Sequence, residues 1–73
     1  MNNLGAMYEF GTGIAKDYVQ AHMWYSLASE RTSTSEGRAR NLANRNRVAG
    51  MMTPVQLGEA EKLAREWKSK RAR

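Results

Sequence analysis

His22 is the one imidazole in the 73-residue chain, and it is the natural place to look for acid–base chemistry. A histidine acting as general acid or base needs a nucleophile or an orienting carboxylate within hydrogen-bond reach. Asp17 lies five residues earlier, more than one helical turn away, so no local partner is supplied. A surface or partly packed role is expected instead. Cysteine is absent, which removes thiol nucleophiles and disulfides together. One histidine without cysteine also falls short of the roughly four ligands of a structural zinc site. Gly11-Thr12-Gly13 suggests a phosphate loop only superficially, because a P-loop needs Gly-Lys-Ser/Thr opening a helix after a strand. The residues imply neither an enzyme nor a cofactor.

Binding chemistry is better represented. Arg38 and Arg45 are seven apart, as are Arg40 and Arg47, so each pair nearly shares a helix face. Phosphate contacts exploit such a face. No stacking aromatic interleaves with these arginines, however, and a solvated face is the simpler expectation. The net charge of +5 is skewed: residues 1–30 carry one Lys against three acids, whereas residues 31–73 carry eleven Lys and Arg against four Glu. That asymmetry suits nucleic acid or an acidic protein face, but a solvated surface with a basic tail is the simpler expectation. Trp24, Tyr25 and Trp67 are candidate partner anchors, since aromatics supply much interface energy. Their helical spacing favours core positions for the tryptophans and leaves Tyr25 open between core and partner binding. Met51 and Met52 read as turn and staple residues.

These side chains must be held by helices. Alanine, leucine, methionine, glutamate and arginine dominate, while valine and isoleucine occur only at Ile14, Val19, Val48 and Val55. That balance favours helix over strand. A first helix runs from about Asn3 to Phe10 and presents Leu4, Met7 and Tyr8 on one face. Gly11 stops it in the left-handed conformation. Gly5 inside it costs about 1 kcal/mol against alanine, which points to a close backbone approach. Asp17 N-caps a second helix with Gln20 in capping-box position, and Tyr18, Ala21, Tyr25 and Ala28 form its stripe, widened by Trp24 and Leu27. Ser33 with Glu36 fits the cap of a third helix whose apolar side is Ala39, Leu42, Ala43 and Val48, ended by Gly50. Thr53, Pro54 and Gln56 open a fourth, with Met52 and Leu57 as staple and Leu57, Ala60, Leu63, Ala64 and Trp67 on its apolar face.

The run Leu4-Gly5-Ala6-Met7-Tyr8-Glu9-Phe10-Gly11-Thr12-Gly13-Ile14, followed by Asp17, Ala21, Trp24, Tyr25 and Ala28, resembles the Sel-1-like repeat, a helical-pair family related to tetratricopeptide repeats. Leu4, Gly5, Tyr8, Gly11, Gly13, Asp17, Ala21, Trp24 and Ala28 carry the repeat motif. Ala39, Leu42 and Ala43 look like the first helix of a degenerate second repeat. Residues 52–67 look like the terminal helix that often closes bacterial proteins of this family. The second repeat lacks the L-G-x-x-Y and G-x-G signatures.

The resemblance implies an all-α, short α/α solenoid, a right-handed superhelix of about four antiparallel helices serving as a protein–protein interaction scaffold or adaptor. Such helix pairs bury their apolar faces only against stacked neighbours. One domain over residues 1–68 is expected, with a full repeat at 4–30, a degenerate repeat plus terminal helix at 33–68, and a basic tail at 69–73. The first helix has no cap before it, so self-association there is expected alongside an unidentified protein partner. No apolar run reaches the roughly 20 residues of a membrane span, and no secretory signal precedes the first helix, so a cytoplasmic location without membrane contact is expected.

Overall fold

The computed structural model describes residues 2–71, with side chains over 4–70. Four helices make up an all-α, short α/α solenoid: α1 (Asn2–Phe10), α2 (Tyr18–Arg31), α3 (Ser35–Ala49) and α4 (Pro54–Arg71). Residues 69–71, expected as part of a basic tail, are helical, because α4 continues through Arg71. No glycine or proline interrupts it there. Ala72 and Arg73 lie outside the described residues, as does Met1.

Local chemistry explains where each helix starts and stops. Gly11 (φ 70°) and Gly13 (φ 79°) both take the left-handed conformation that an L side chain resists. The chain turns back there, so that the Met7 carbonyl accepts from the amides of Gly11 (2.8 Å) and Thr12 (3.1 Å). The Asp17 amide then donates to the Tyr8 carbonyl at 2.9 Å, closing the loop onto α1. Asp17 caps α2 by accepting from the Gln20 amide at 3.2 Å. Only that half of the capping box forms, because the Asp17 amide is already spent on Tyr8. At α4 both halves form: Thr53 Oγ1 accepts from the Gln56 amide at 3.1 Å, and Gln56 Oε1 accepts from the Thr53 amide at 3.0 Å.

The start and end of α3 differ from the sequence expectation. Thr34, not Ser33, is its N-cap, with Oγ1 accepting from the Gly37 amide at 3.0 Å. Gly37 is what admits this cap, since a Cβ there would meet Thr34 Oγ1 at 2.8 Å and Thr32 Oγ1 at 2.6 Å. Gly50 ends the helix without a left-handed turn (φ −66°, ψ −15°). The Met51 and Met52 amides instead reach back three residues to the Val48 and Ala49 carbonyls, a tightened final turn.

The centre of the molecule is α2, which packs against α1, α3 and α4 in turn. Ala21, His22, Met23, Tyr25, Leu27, Ala28 and Ser29 are all buried, which leaves this helix almost no solvent face. Two clusters flank it. Ala21, Tyr25 and Val48 form one, supported by Tyr8, Tyr18 and Met52; Met23, Leu27 and Ala64 form the other, supported by Trp24, Leu63 and Trp67. The result is nearly isometric, with extents of 27 × 26 × 24 Å.

The face of α3 is only partly the expected one. Val48 is buried as expected, but its buried companion is Asn41, whereas Ala39 and Ala43 are exposed and Leu42 is partly so. At 3.6 residues per turn, Ala39 and Ala43 lie nearly opposite Asn41 and Val48. Two anchors set this rotation: the seat of Gly37 against Thr32 at one end, and an ion pair from Arg47 to α1 at the other. Together they outweigh the small gain from burying two alanine methyls.

Candidate interaction site

A buried carboxylate organises the junction of α1, α2 and α3. Glu9 Oε1 accepts from the Tyr25 hydroxyl at 2.7 Å and from Arg47 Nη2 at 2.7 Å, while Glu9 Oε2 accepts from Arg47 Nε at 2.9 Å. The Glu9 side chain is 3% exposed and that of Arg47 is 51% exposed, so a solvated guanidinium caps a sequestered charge. The forked contact from Arg47 holds the Glu9 carboxyl below the usual range despite its burial. Burial and the neighbouring Glu9 together push the Tyr25 phenol up to about 12. Arg47 is steadied in turn by Asn44 Oδ1, which accepts from Nη1 at 3.0 Å. The chemistry here is closed on itself, and both carboxylate oxygens of Glu9 accept from donors within the fold.

Beside this junction the surface opens into a recess of about 310 Å³ lined by Glu9, Phe10, Lys16, Tyr18, Arg47 and Met51. Phe10 is 65% exposed and Met51 47% exposed, so two large apolar side chains stand in water at one rim. Lys16 Nζ lies 5.3 Å from the centre of the Tyr18 ring. A larger recess, about 500 Å³, lies where the end of α2 meets the start of α3. Arg31, Thr32, Thr34, Arg40 and Asn41 line it.

His22 is more enclosed than expected. It is buried between helices, and its Nδ1 is covered without a hydrogen-bond partner. Burial lowers its pKa, the charge of Arg45 lowers it further, and Glu61 opposes both. It is a buried packing residue, neutral near pH 7. Among the described residues, no group of three His, Asp or Glu is placed to hold a metal. Trp24 and Trp67 meet edge to face at 5.9 Å and 74°, and Arg31 lies 5.4 Å from the Trp67 ring centre.

The arginines of α3 separate into different roles. Arg47 is tied to Glu9, Arg45 is partly buried with Nη2 donating to Asn46 Oδ1 at 3.1 Å, and Arg38 and Arg40 are exposed. They do not form one cationic stripe. Tyr25, considered as a partner anchor, is 1% exposed with its hydroxyl engaged, so its ring is part of the core and no partner reaches it. Glu9, Asn41 and Phe10 were not singled out by sequence. A signal existed for Glu9, because Gly5 four residues earlier marks the same face of α1, the face that Tyr25 crosses.

Residues 1–33 match the family model described as Sel1 repeat. Searches of curated proteins and of solved structures return no match. No helix of the described residues is long and apolar enough to cross a membrane.

Proposed function

We propose, from the premise that the chain belongs to the Sel1-repeat family, that it is a scaffold or adaptor which holds a protein partner on a rigid helical frame. Modules of this family generally mediate protein–protein contacts and are generally non-catalytic. The observation that carries the reading is the pairing of Phe10 and Met51 on one rim, held in solvent by a junction whose charges are already satisfied. Aromatic and methionine side chains in such a position are the ones that gain most when a partner covers them. Self-association belongs to the same reading, with α1 and its exposed Phe10 as the contact.

The test is affinity capture with the intact chain and with a Phe10→Ala/Met51→Ala double variant, read by mass spectrometry. A partner held by the first and lost by the second supports the scaffold; equal recovery on both removes the Phe10–Met51 surface. Light scattering over a concentration series reads self-association in the same two proteins.

The alternative is a nucleic-acid-binding protein using α3 and the basic end of α4. With Arg47 committed to Glu9, that reading rests on Arg38, Arg40 and Arg45 with the lysines and arginines of α4. Its test is a salt titration of oligonucleotide binding, where the electrostatic contribution is greatest at low salt.

A further inference from the structure

We propose that the recess between the end of α2 and the first two turns of α3 takes an acidic segment of a partner protein, a glutamate or aspartate carboxylate with its adjoining peptide N–H. This rests on the scaffold reading and names the chemistry of what the scaffold holds. The recess is about 500 Å³, room for a side chain and part of its backbone, and no carboxylate is among the residues lining it. Two guanidiniums stand at its wall. Arg31 is steadied over the Trp67 ring, while Arg40 is exposed and makes no hydrogen bond or ion pair among the described residues. A guanidinium presents a planar fork of donors that matches a carboxylate. The Thr32 and Thr34 hydroxyls line the same wall.

Asn41 decides between a peptide and a phosphate backbone. Its side chain is buried, and Nδ2 donates to the Gly37 carbonyl at 3.0 Å, which fixes the orientation of the amide. Oδ1 is thereby turned away and has no partner. A covered acceptor without a donor is costly, and an N–H brought in by a ligand as the wall adjusts would relieve that cost. A peptide carries an N–H one residue from every carboxylate. A DNA phosphodiester carries none. The cations recruit either polymer, and the orphan acceptor favours the peptide.

The experiment is a fluorescence-anisotropy titration of the full chain at low salt with a labelled octapeptide of alternating Glu and Gly. The Gln–Gly counterpart and an oligothymidylate serve as comparison probes. Arg40→Gln should weaken the Glu peptide about tenfold, the scale of one charge-assisted hydrogen bond pair, and Arg38→Gln, the same charge change outside the recess, less than about twofold. Amide shifts of Thr32, Thr34 and Asn41 on titrating the unaltered chain give the same answer without a variant. Equal binding of the Gln peptide, equal loss in the two arginine variants, shifts that avoid those three residues, or oligothymidylate bound more tightly at the same residues would each overturn the proposal. A captured partner that binds Arg40→Gln as well as the parent removes this site and leaves the scaffold reading standing.

Discussion

On one side of α2, Tyr25 passes over Gly5 to reach Glu9, and Arg47 closes the contact from α3. On the other, Met23 and Leu27 meet Ala64 while Trp24 meets Trp67 edge to face, with no buried ion pair among the described residues. One helix is therefore held by buried, charge-assisted bonds on its α1/α3 side and mainly by apolar packing on its α4 side, where the ion pair of Lys68 with Glu30 is half exposed. Directional bonds fix a rotation and a register, whereas apolar contact tolerates small slips at modest cost. The α1/α3 side should define the geometry of the repeat, and the α4 side should supply much of its apolar burial.

Truncations on the two sides separate these contributions. Arg47→Ala strands Glu9 with only Tyr25 as partner and should cost about 3 kcal/mol, the low end for breaking a buried pair because Arg47 is itself half exposed. Leu27→Ala, at a residue 1% exposed, should cost about the same through cavity and transfer terms. Either is large against the roughly 5 kcal/mol expected for a domain of this size. Urea unfolding at several pH values tells them apart. Acid neutralises the stranded carboxyl, so the Arg47→Ala deficit should shrink as pH falls, while the Leu27→Ala deficit should not. Parallel profiles would mean that Glu9 is not sequestered as described.

Gly5→Ala probes the same side through sterics. The added methyl would lie 2.8 Å from two carbons of the Tyr25 ring, and a ring anchored to Glu9 cannot easily retreat. Overpacking of about 2–3 kcal/mol, offset by about 1 kcal/mol of helix propensity, leaves a loss of about 1–2 kcal/mol. In a Tyr25→Ala background the sign should reverse, because only the propensity gain remains. A loss that persists without the ring would show that Gly5 serves some other approach.

Acidification should be felt through His22 before Glu9. The folded His22 pKa lies below its ordinary 6.5, so the unfolded chain takes up a proton first and stability falls as pH drops below 6.5 toward the folded value. The Glu9 carboxyl is likewise lowered from 4.5, so its contribution is complete above 4.5 and is lost as pH falls through the folded value. Two descending steps in the urea midpoint are expected, and His22→Gln should erase the upper one. A single step in the parent protein would mean that His22 titrates as if exposed.

The sequence signals that succeeded were short-range. Asp17 with Gln20, and Thr53-Pro54 with Gln56, act within three residues, so their caps are readable without knowledge of the fold. The double-glycine bend is legible for the same reason. What stayed hidden depends on partners far along the chain. Glu9 and Arg47 are 38 residues apart, and their bond helps to turn α3 so that Asn41 and Val48 face inward rather than Ala39 and Ala43. Counting apolar residues on α3 alone finds Val48 but misplaces Ala39 and Ala43, because the rest of the true face is held by a glycine, an asparagine and an ion pair. Gly5 was legible as a close approach, but the object approaching is a ring and not a backbone. Of the four arginines, only their alignment was visible; the partners that occupy Arg47 and Arg45 were not.

The smallest effect tests whether the contrast between the two sides concerns burial or merely the presence of charge. Lys68 on α4 donates to both carboxylate oxygens of Glu30 on α2 at 3.2 Å, an ion pair that joins the α4 side much as Arg47 joins the other. Both of its side chains are 46% exposed, so water already solvates each charge in the absence of the other. Lys68→Ala should therefore change stability by no more than about 0.5 kcal/mol, and high salt should abolish even that difference. The deficit of Arg47→Ala should survive the same salt, because its origin is a carboxylate cut off from solvent and not a long-range attraction. If salt erased both deficits alike, the α1/α3 junction would be another surface pair, and the register of the repeat would have to come from packing on both sides of α2.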